Sequence, residues 1–356
     1  MTTTSLTLLN WLEGIFFQSL PKNFQDAVII TKSIGIRYLW IDSLCIIQDN
    51  PKDWELESAN MGKVYLPSTC TIAASASGSS TERFKKRPTP ISEVCFVTRL
   101  DNWKVIPANW KLQNEREWIR EVDGSIMIKI FKPGCIPPIW DERFSRQPLN
   151  QRGWVLQERQ LSRRVLHYTK SKLLWECRSL RACDDIPWGL SHGSATRKPR
   201  VLDGREGSWK GDIFNAWHTM TQDYSSMLLT RDTDKLGALS GLAKEVQRSL
   251  ASNYIAGIWE DNFSRSLLWQ VVPGKVHKRP SQYRDPTWSW ISLDGPIKYP
   301  AASQYLREGT LDIADDETCA KLIHSSVIPV AKDPMVQLLS ASLVWVSWNG
   351  SLLRRV

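Results

Sequence analysis

The sequence predicts an α/β fold organised around a parallel sheet. Hydrophobic segments of its first half follow a helix-strand-helix-strand order, the strand candidates are short apolar runs rich in β-formers, and turn or capping residues stand at their junctions. The second half adds helices followed by strands and loops, which predicts a mixed α+β C-terminal lobe.

Residues 21–33 read as the first helix, because Phe24, Ala27, Val28 and Thr31 recur at the spacing of one face and Pro21 stands at the start. Gly35 ends it. Tyr38-Leu39-Trp40-Ile41 then predicts a buried strand between Gly35 and Asp42-Ser43, with Asp42 at its carboxyl end. After a loop through Cys45 and Gln48, Asn50 is placed to cap a second helix, with Pro51 at its first position and Asp53 in its first turn. Trp54, Met61, Val64 and Tyr65 mark its inward face, with Glu57 and Ser58 alongside. Thr69-Cys70-Thr71-Ile72-Ala73-Ala74 reads as the next strand.

Residues 75–90 read as a polar, basic loop. Residues 91–140 alternate pieces such as Val94-Cys95-Phe96-Val97 and Ile126-Met127-Ile128-Lys129-Ile130 with charged turns, which predicts an inserted set of β-strands. A further helix is expected from Gln151 through Arg152-Gly153-Trp154-Val155-Leu156-Gln157-Glu158, then a hairpin from Val165-Leu166-His167-Tyr168 and Leu173-Leu174-Trp175-Glu176-Cys177. Residues 184–211, rich in Gly, Ser, Arg and Pro, read as a linker or surface loop, and residues 217–224 and 234–250 as helices. The expected organisation is a first domain over 1–182, a loop or linker over 183–211 and a tryptophan-rich companion region over 212–356.

Composition narrows the function classes. The chain of 356 residues is 42% hydrophobic, enough for a real core, and its 18 tryptophans are expected to anchor it. No run reaches the roughly eighteen apolar residues of a membrane helix, and the N-terminus lacks the charged start and apolar run of a signal peptide. A cytoplasmic address without a membrane span is the expectation. The net charge of +9 raises a nucleic-acid reading, but the basic residues are spread along the chain, with only small clusters such as Arg83-Phe84-Lys85-Lys86-Arg87. A solvated basic surface without a specific nucleic-acid partner is expected. The seven cysteines are odd in number, scattered and never arranged as C-x-x-C, which argues against a disulfide framework and a zinc ribbon. His167, Cys177, Cys183 and His192 match no zinc spacing and are read as structural. The absence of Gly-x-x-x-x-Gly-Lys-Ser/Thr, Gly-x-Gly-x-x-Gly and Gly-x-Ser-x-Gly motifs removes the main support for ATPase, Rossmann dehydrogenase and serine-hydrolase readings.

Two blocks carry a family resemblance. The first is Gly35-Ile36-Arg37-Tyr38-Leu39-Trp40-Ile41-Asp42-Ser43-Leu44-Cys45-Ile46-Ile47-Gln48-Asp49, followed by Asp53-Trp54, Glu57, Met61 and Tyr65. The second is Leu149, Arg152-Gly153-Trp154, Gln157-Glu158, Leu161-Ser162, Arg164 and Trp175-Glu176-Cys177. Together they resemble the fungal heterokaryon-incompatibility (HET) domain family. Tyr224-Ser225, Asp234-Lys235-Leu236, Leu239-Ser240-Gly241-Leu242 and Pro286-Thr287-Trp288-Ser289-Trp290 resemble the companion region of such proteins.

The resemblance implies a flavodoxin-like core distantly similar to Toll/interleukin-1-receptor domains, a role in non-self recognition and programmed cell death, and protein partners or self-association. Family members usually open with a strand ending in a Ser-Tyr-x-Trp-Gly pattern that nothing here matches, so the chain is expected to lack that strand. Asp184-Asp185 replaces the usual Glu before Pro187, and Ser58 stands where Ala is common.

Some Toll/interleukin-1-receptor domains cleave NAD with a glutamate on a helix preceded by a Trp-Cys pair, and Asp53-Trp54-x-x-Glu57 loosely resembles that arrangement. Nicotinamide leaves as a neutral molecule and needs no general acid, so one carboxylate that stabilises the oxocarbenium-like ribose or orients a water suffices. Glu57 and Asp42 are therefore the catalytic candidates. Asp42 equally suits a cap on the following backbone, since open α/β sheets place both ligand contacts and helix starts at strand carboxyl ends. The binding candidates are Trp54, Gln48, Arg152, Trp154, Gln157 and Glu158. Gln48, Gln157 and Glu158 either satisfy buried backbone or line a ligand site, and Arg152 either pairs with an acid or holds a phosphate. Cys45 is read as a small core residue rather than a nucleophile, since no histidine lies near it in sequence. No resident cofactor is expected; NAD enters as a candidate substrate. The alternative function is a catalytically inactive interaction or regulatory module.

Overall fold

The computed structural model describes residues 1–84, 142–170, 172–184, 187, 189, 210–300 and 335, with strand segments at 92–97, 111–114, 117–122, 126–131, 320–329, 338–347 and 352–353. Its helices are α1 (Leu8–Glu13), α2 (Lys22–Ser33), α3 (Asp42–Cys45), α4 (Pro51–Tyr65), α5 (Glu142–Ser145), α6 (Gly153–Leu161), α7 (Lys210–Ser225), α8 (Asp234–Leu250) and α9 (Phe263–Ser266). Its strands are β1 (Thr71–Ala73), β2 (Ser92–Val97), β3 (Lys111–Asn114), β4 (Glu117–Val122), β5 (Ile126–Phe131), β6 (Arg164–Tyr168), β7 (Leu173–Cys177) and β8 (Arg181–Cys183). Short pairs β9 (Tyr254–Ile255), β10 (Ile258–Trp259), β11 (Gln270–Val271) and β12 (Ile297–Lys298) precede β13 (Ala320–Pro329), β14 (Leu338–Ser347) and β15 (Leu352–Leu353). The chain divides into two compact units, Met1–Asp49, Thr69–Asn150 and Arg163–Lys198 against Asn50–Ser68, Gln151–Ser162 and Pro199–Val356. None of the described helices is long and apolar enough to cross a membrane.

The first unit is mixed α/β. Its main sheet runs β1-β6-β7-β8 and contains one parallel pair, β1 with β6, in the register Thr71 to Val165 and Ala73 to His167. The other pairs are antiparallel, because β6, β7 and β8 follow one another through turns too short for a crossover. The expected hairpin is therefore present, while the all-parallel sheet is replaced by a mixed one. Inserted strands between 91 and 140 form a second sheet of order β2-β5-β4-β3, as the alternating pattern predicts.

Tyr38-Leu39-Trp40-Ile41 departs from expectation. It belongs to none of the described helices or sheets, only Ile41 being shown as extended, and Tyr38 is 81% exposed. An apolar run becomes a buried strand only where neighbouring strands and a packing layer receive it; here Ile46 is the buried residue of the block. Cys45, read as a core residue, is exposed. The block is held instead by residues 3–5. Thr3 N–H donates to Ser43 O at 2.8 Å, Gln48 N–H to Thr3 O at 2.9 Å, and Ser5 N–H to Asp49 Oδ1 at 2.8 Å.

Helix α2 ends as predicted, with Gly35 at a positive φ of 76°. Its buried residues are Gln25, Asp26, Ile30 and Thr31, so the face is rotated from the one the apolar spacing marks. The cause is Asp26, which accepts from Arg83 Nη1 at 2.7 Å and from Phe84 N–H at 3.0 Å. The first members of the basic cluster are thus structural: Arg83 pairs inward and Phe84 is buried, while Lys85-Lys86-Arg87 lie outside the described residues.

On the main sheet, inward positions of β6, β7 and β8 carry His167, Glu176 and Arg181, all buried. Arg181 grips Glu176 through Nε (3.1 Å) and Nη2, His167 Nε2 lies 3.4 Å from Glu176 Oε2, and Ser75 Oγ lies 3.3 Å from His167 Nδ1. Charges removed from water are tolerated only in such fully hydrogen-bonded geometry. Replacing Glu176 by Gln is expected to cost about 3–5 kcal/mol of unfolding free energy, since it leaves a buried guanidinium uncompensated; chemical denaturation of the two proteins measures it.

The second unit is built on α8, buried along most of its length, with α4, α6 and α7 packed against it. Trp217, Trp259 and Trp290 are almost wholly buried, as expected of core anchors. Trp217 and Trp290 both donate their indole N–H to Gly257 O, at 3.1 and 3.2 Å. Gly257 sits at a φ of 89°, and a Cβ there would lie 2.4 Å from Ile291 Cδ1. The linker expected at 184–211 falls almost entirely outside the described residues, as does His192.

A buried charge cluster lies in the same unit. Lys235 Nζ donates to Leu293 O and to Asp294 Oδ1 (3.2 Å), and Arg284 Nη2 donates to Ile291 O (2.6 Å) and Asp294 Oδ1 (2.8 Å). Asp285 lies 3.9 Å from Arg284 Nε, and its buried Oδ1 has no hydrogen-bond partner. Burial pushes Asp285 up to about 7 against the pull of Arg284 and Lys235, and brings Lys235 down to about 8. A raised carboxyl stabilises the fold fully below its unfolded pKa and loses that contribution as pH rises through about 7. Asp285→Asn, which mimics the protonated acid, is therefore expected to raise the melting temperature relative to wild type at pH 8, with the advantage shrinking as pH falls through about 7 and vanishing only below the ordinary carboxylate value of 3.8. Thermal unfolding across this range tests the sign.

Candidate functional site

The N-terminal end of α4 forms as the sequence dictates. Asn50 Oδ1 accepts from the N–H groups of Lys52 (3.1 Å) and Asp53 (3.3 Å), and Pro51 occupies the first position. Trp54 follows within the first turn, half-buried, and Glu57 lies one turn further along. The Glu57 carboxylate is half-buried and makes no hydrogen bond or ion pair among the described residues.

Helix α6 is set by a backbone clasp. Leu228 N–H donates to Gln151 O at 2.7 Å and Gly153 N–H to Leu228 O at 2.8 Å, a parallel bridge opposite Arg152. Gly153 is required there: a Cβ would lie 2.6 Å from Leu229 Cδ2. Trp154, the next residue, packs edge-on against Trp54 with ring centroids 6.1 Å apart and planes at 88°. Its Nε1 donates to Asp234 Oδ2 at 3.2 Å. Arg231 places its guanidinium 5.9 Å from the Trp54 ring centroid. Burial raises the Asp234 carboxyl above the ordinary range, while the Trp154 hydrogen bond and Arg231 pull it down.

One turn along α6, Gln157 is fully buried and accepts the Gly241 N–H of α8 at 2.7 Å. Its Nε2 is buried without a partner. Glu158 is half-buried beside it, and Arg152 is exposed with no side-chain partner among the described residues. Of the alternatives open for Gln157, the backbone-satisfying one is realised through Gly241.

Asp42 and Gln48 belong to the first unit; the remaining candidates belong to the second. Asp42 is exposed at the start of α3 and accepts from Ser43 N–H at 2.7 Å, a local backbone role. Exposed Gln48 donates through Nε2 to Ile46 O at 3.1 Å and Asp42 O at 3.4 Å, again closing its own loop. Among the described residues no group of His, Cys, Asp and Glu is arranged to hold a metal.

Residues 11–158 match the family model described as heterokaryon incompatibility protein (HET). The chain carries a HET domain. Comparisons with curated proteins and with solved structures give no match. All eight candidate residues lie inside the HET match, whereas Arg231 and Asp234 lie beyond it. Sequence reading missed these two; the available signal was an indole N–H on an inward helix turn, which needs an acceptor when buried.

The Trp154 to Asp234 hydrogen bond joins the HET segment of the second unit to residues outside the match. Trp154→Phe keeps the ring and removes the donor, and is expected to lower stability by about 1–2 kcal/mol. In an Asp234→Ala background, where the acceptor is gone, the same substitution is expected to cost about half as much or less, as a double-mutant cycle in denaturant measures.

Proposed function

We propose that this HET-domain protein acts in non-self recognition and programmed cell death, and that its second unit hydrolyses NAD through Glu57. One observation carries the reading: a half-buried carboxylate without a partner, one turn from a tryptophan pair, on the helix where the family resemblance places it. An unpaired carboxylate is available to a developing positive charge, and the ribosyl cation formed as nicotinamide departs supplies one. The bond broken is the C1′–N glycosidic bond, its electron pair leaves with nicotinamide, and water adds to C1′ with loss of a proton to solvent or to the carboxylate. Trp54 and Trp154 offer π-faces to a planar base, and Arg152 offers an uncommitted guanidinium. Asp42 is retained as the second catalytic candidate, and Gln48 and Glu158 as binding candidates. Kinship with the flavodoxin-like core of Toll/interleukin-1-receptor domains belongs to the same proposal, as do a cytoplasmic address and activation by protein partners or self-association.

A second reading, a catalytically inactive interaction module, draws on exposed apolar side chains of the first unit: Leu6, Leu9, Leu12 and Phe16 are 74–89% exposed.

Incubation of the purified chain with NAD, with nicotinamide release followed by chromatography, separates the two. Release that falls at least roughly 100-fold in Glu57→Gln, a loss of the size seen when one electrostatic group is removed, supports hydrolysis. Folded protein that releases none supports the interaction module.

A further inference from the structure

The HET match ends at residue 158, yet the tryptophan pair is bounded by residues well beyond it. Leu228 clasps Gln151 and Gly153, Asp234 receives the Trp154 indole, and between them Arg231 lies over Trp54. Arg231 is exposed, and no ion pair or hydrogen bond occupies its guanidinium among the described residues. Asp234 accepts from the Trp154 indole and feels the Arg231 charge without forming an ion pair with it. Arg152, the residue opposite Leu228 in the clasp, is likewise exposed and uncommitted. Arg231 therefore stands over one indole of the pair, and Arg152 is the residue that begins the helix carrying the other, on one backbone-locked frame. A planar fork suits phosphate oxygens and a π-face suits a base, so the combination fits a ligand that carries both.

We propose that residues 228–234 turn the tryptophan pair into a nucleotide subsite, with Arg231 and Arg152 holding the phosphates and Trp54 and Trp154 flanking the base. This rests on the NAD reading for its choice of ligand and names the residues that set its affinity. Arg231 acts as a binding residue, so its loss shows in KM rather than kcat.

The test is isothermal titration of the full chain with ADP, inorganic pyrophosphate and adenosine, repeated on Arg231→Gln and Arg152→Gln. ADP and pyrophosphate are expected to bind, and adenosine to bind at least roughly tenfold more weakly than ADP. Arg231→Gln should weaken ADP roughly tenfold, the loss of one charge-assisted hydrogen bond, with adenosine unchanged. Because the side chain is exposed, the melting temperature is expected to stay at the wild-type value.

Equal affinity for ADP and adenosine, wild-type ADP affinity in both arginine variants, or no ADP binding by the folded chain each overturns the subsite. Arg231-dependent ADP binding in a chain that never consumes NAD supports the subsite and overturns only the hydrolysis reading. NAD consumption with an unaltered KM in both arginine variants overturns the subsite and leaves hydrolysis standing.

Discussion

The approach of α6 to α8 governs the geometry of the second unit. It depends on Gly241, where a Cβ would sit 2.8 Å from Gln157 Oε1 and 3.2 Å from Leu161 Cδ1. The missing side chain lets the Gln157 amide oxygen reach the Gly241 N–H, and on the same face Gly62 of α4 comes close enough that its own Cβ would meet Gly241 Cα at 3.5 Å. α6 and α8 are thereby held at a contact that a Cβ on Gly241 would open, with α4 in van der Waals range of the same point. The Trp54 and Trp154 rings, the Asp234 carboxylate and the Arg231 guanidinium inherit their positions from these contacts.

Each unit also buries charge, and in different ways. In the first, Glu176 is satisfied on both oxygens by Arg181 and His167, a closed network laid across adjacent strands. In the second, Asp285 has an oxygen without a donor, and Lys235 and Arg284 share Asp294. A satisfied network specifies strand register at modest net cost, whereas an incompletely satisfied one makes stability sensitive to pH.

The functional reading follows the same division. Asp42 and Gln48 make hydrogen bonds within their own loop, the backbone roles open to them alongside ligand contact. Gln157 is spent on packing. Glu57 and Arg152 retain charged groups that no described neighbour engages, and Arg231 meets the Trp54 ring and the field of Asp234 without a hydrogen bond or ion pair. Polar groups that folding does not consume are the ones available for a ligand, and they lie on α4, at the start of α6 and in the 228–234 segment.

Local signals that act over a few residues were legible in the sequence: the Asn50-Pro51 start of α4, the Gly35 stop of α2, the β6–β7 hairpin, the inserted strands and the two family blocks. Caps, turns and alternation work through neighbouring backbone, so sequence by itself determined them. The Tyr38–Ile41 run was misread because burial depends on partners distant in sequence. The buried face of α2 was misread because Asp26 answers to Arg83 and Phe84, more than fifty residues away. Only the tertiary structure could decide that Trp154 meets Asp234, that Gly241 admits Gln157, and that Arg231 joins Trp54. Each pairing closes a long loop, and no local propensity records which groups such a closure brings together.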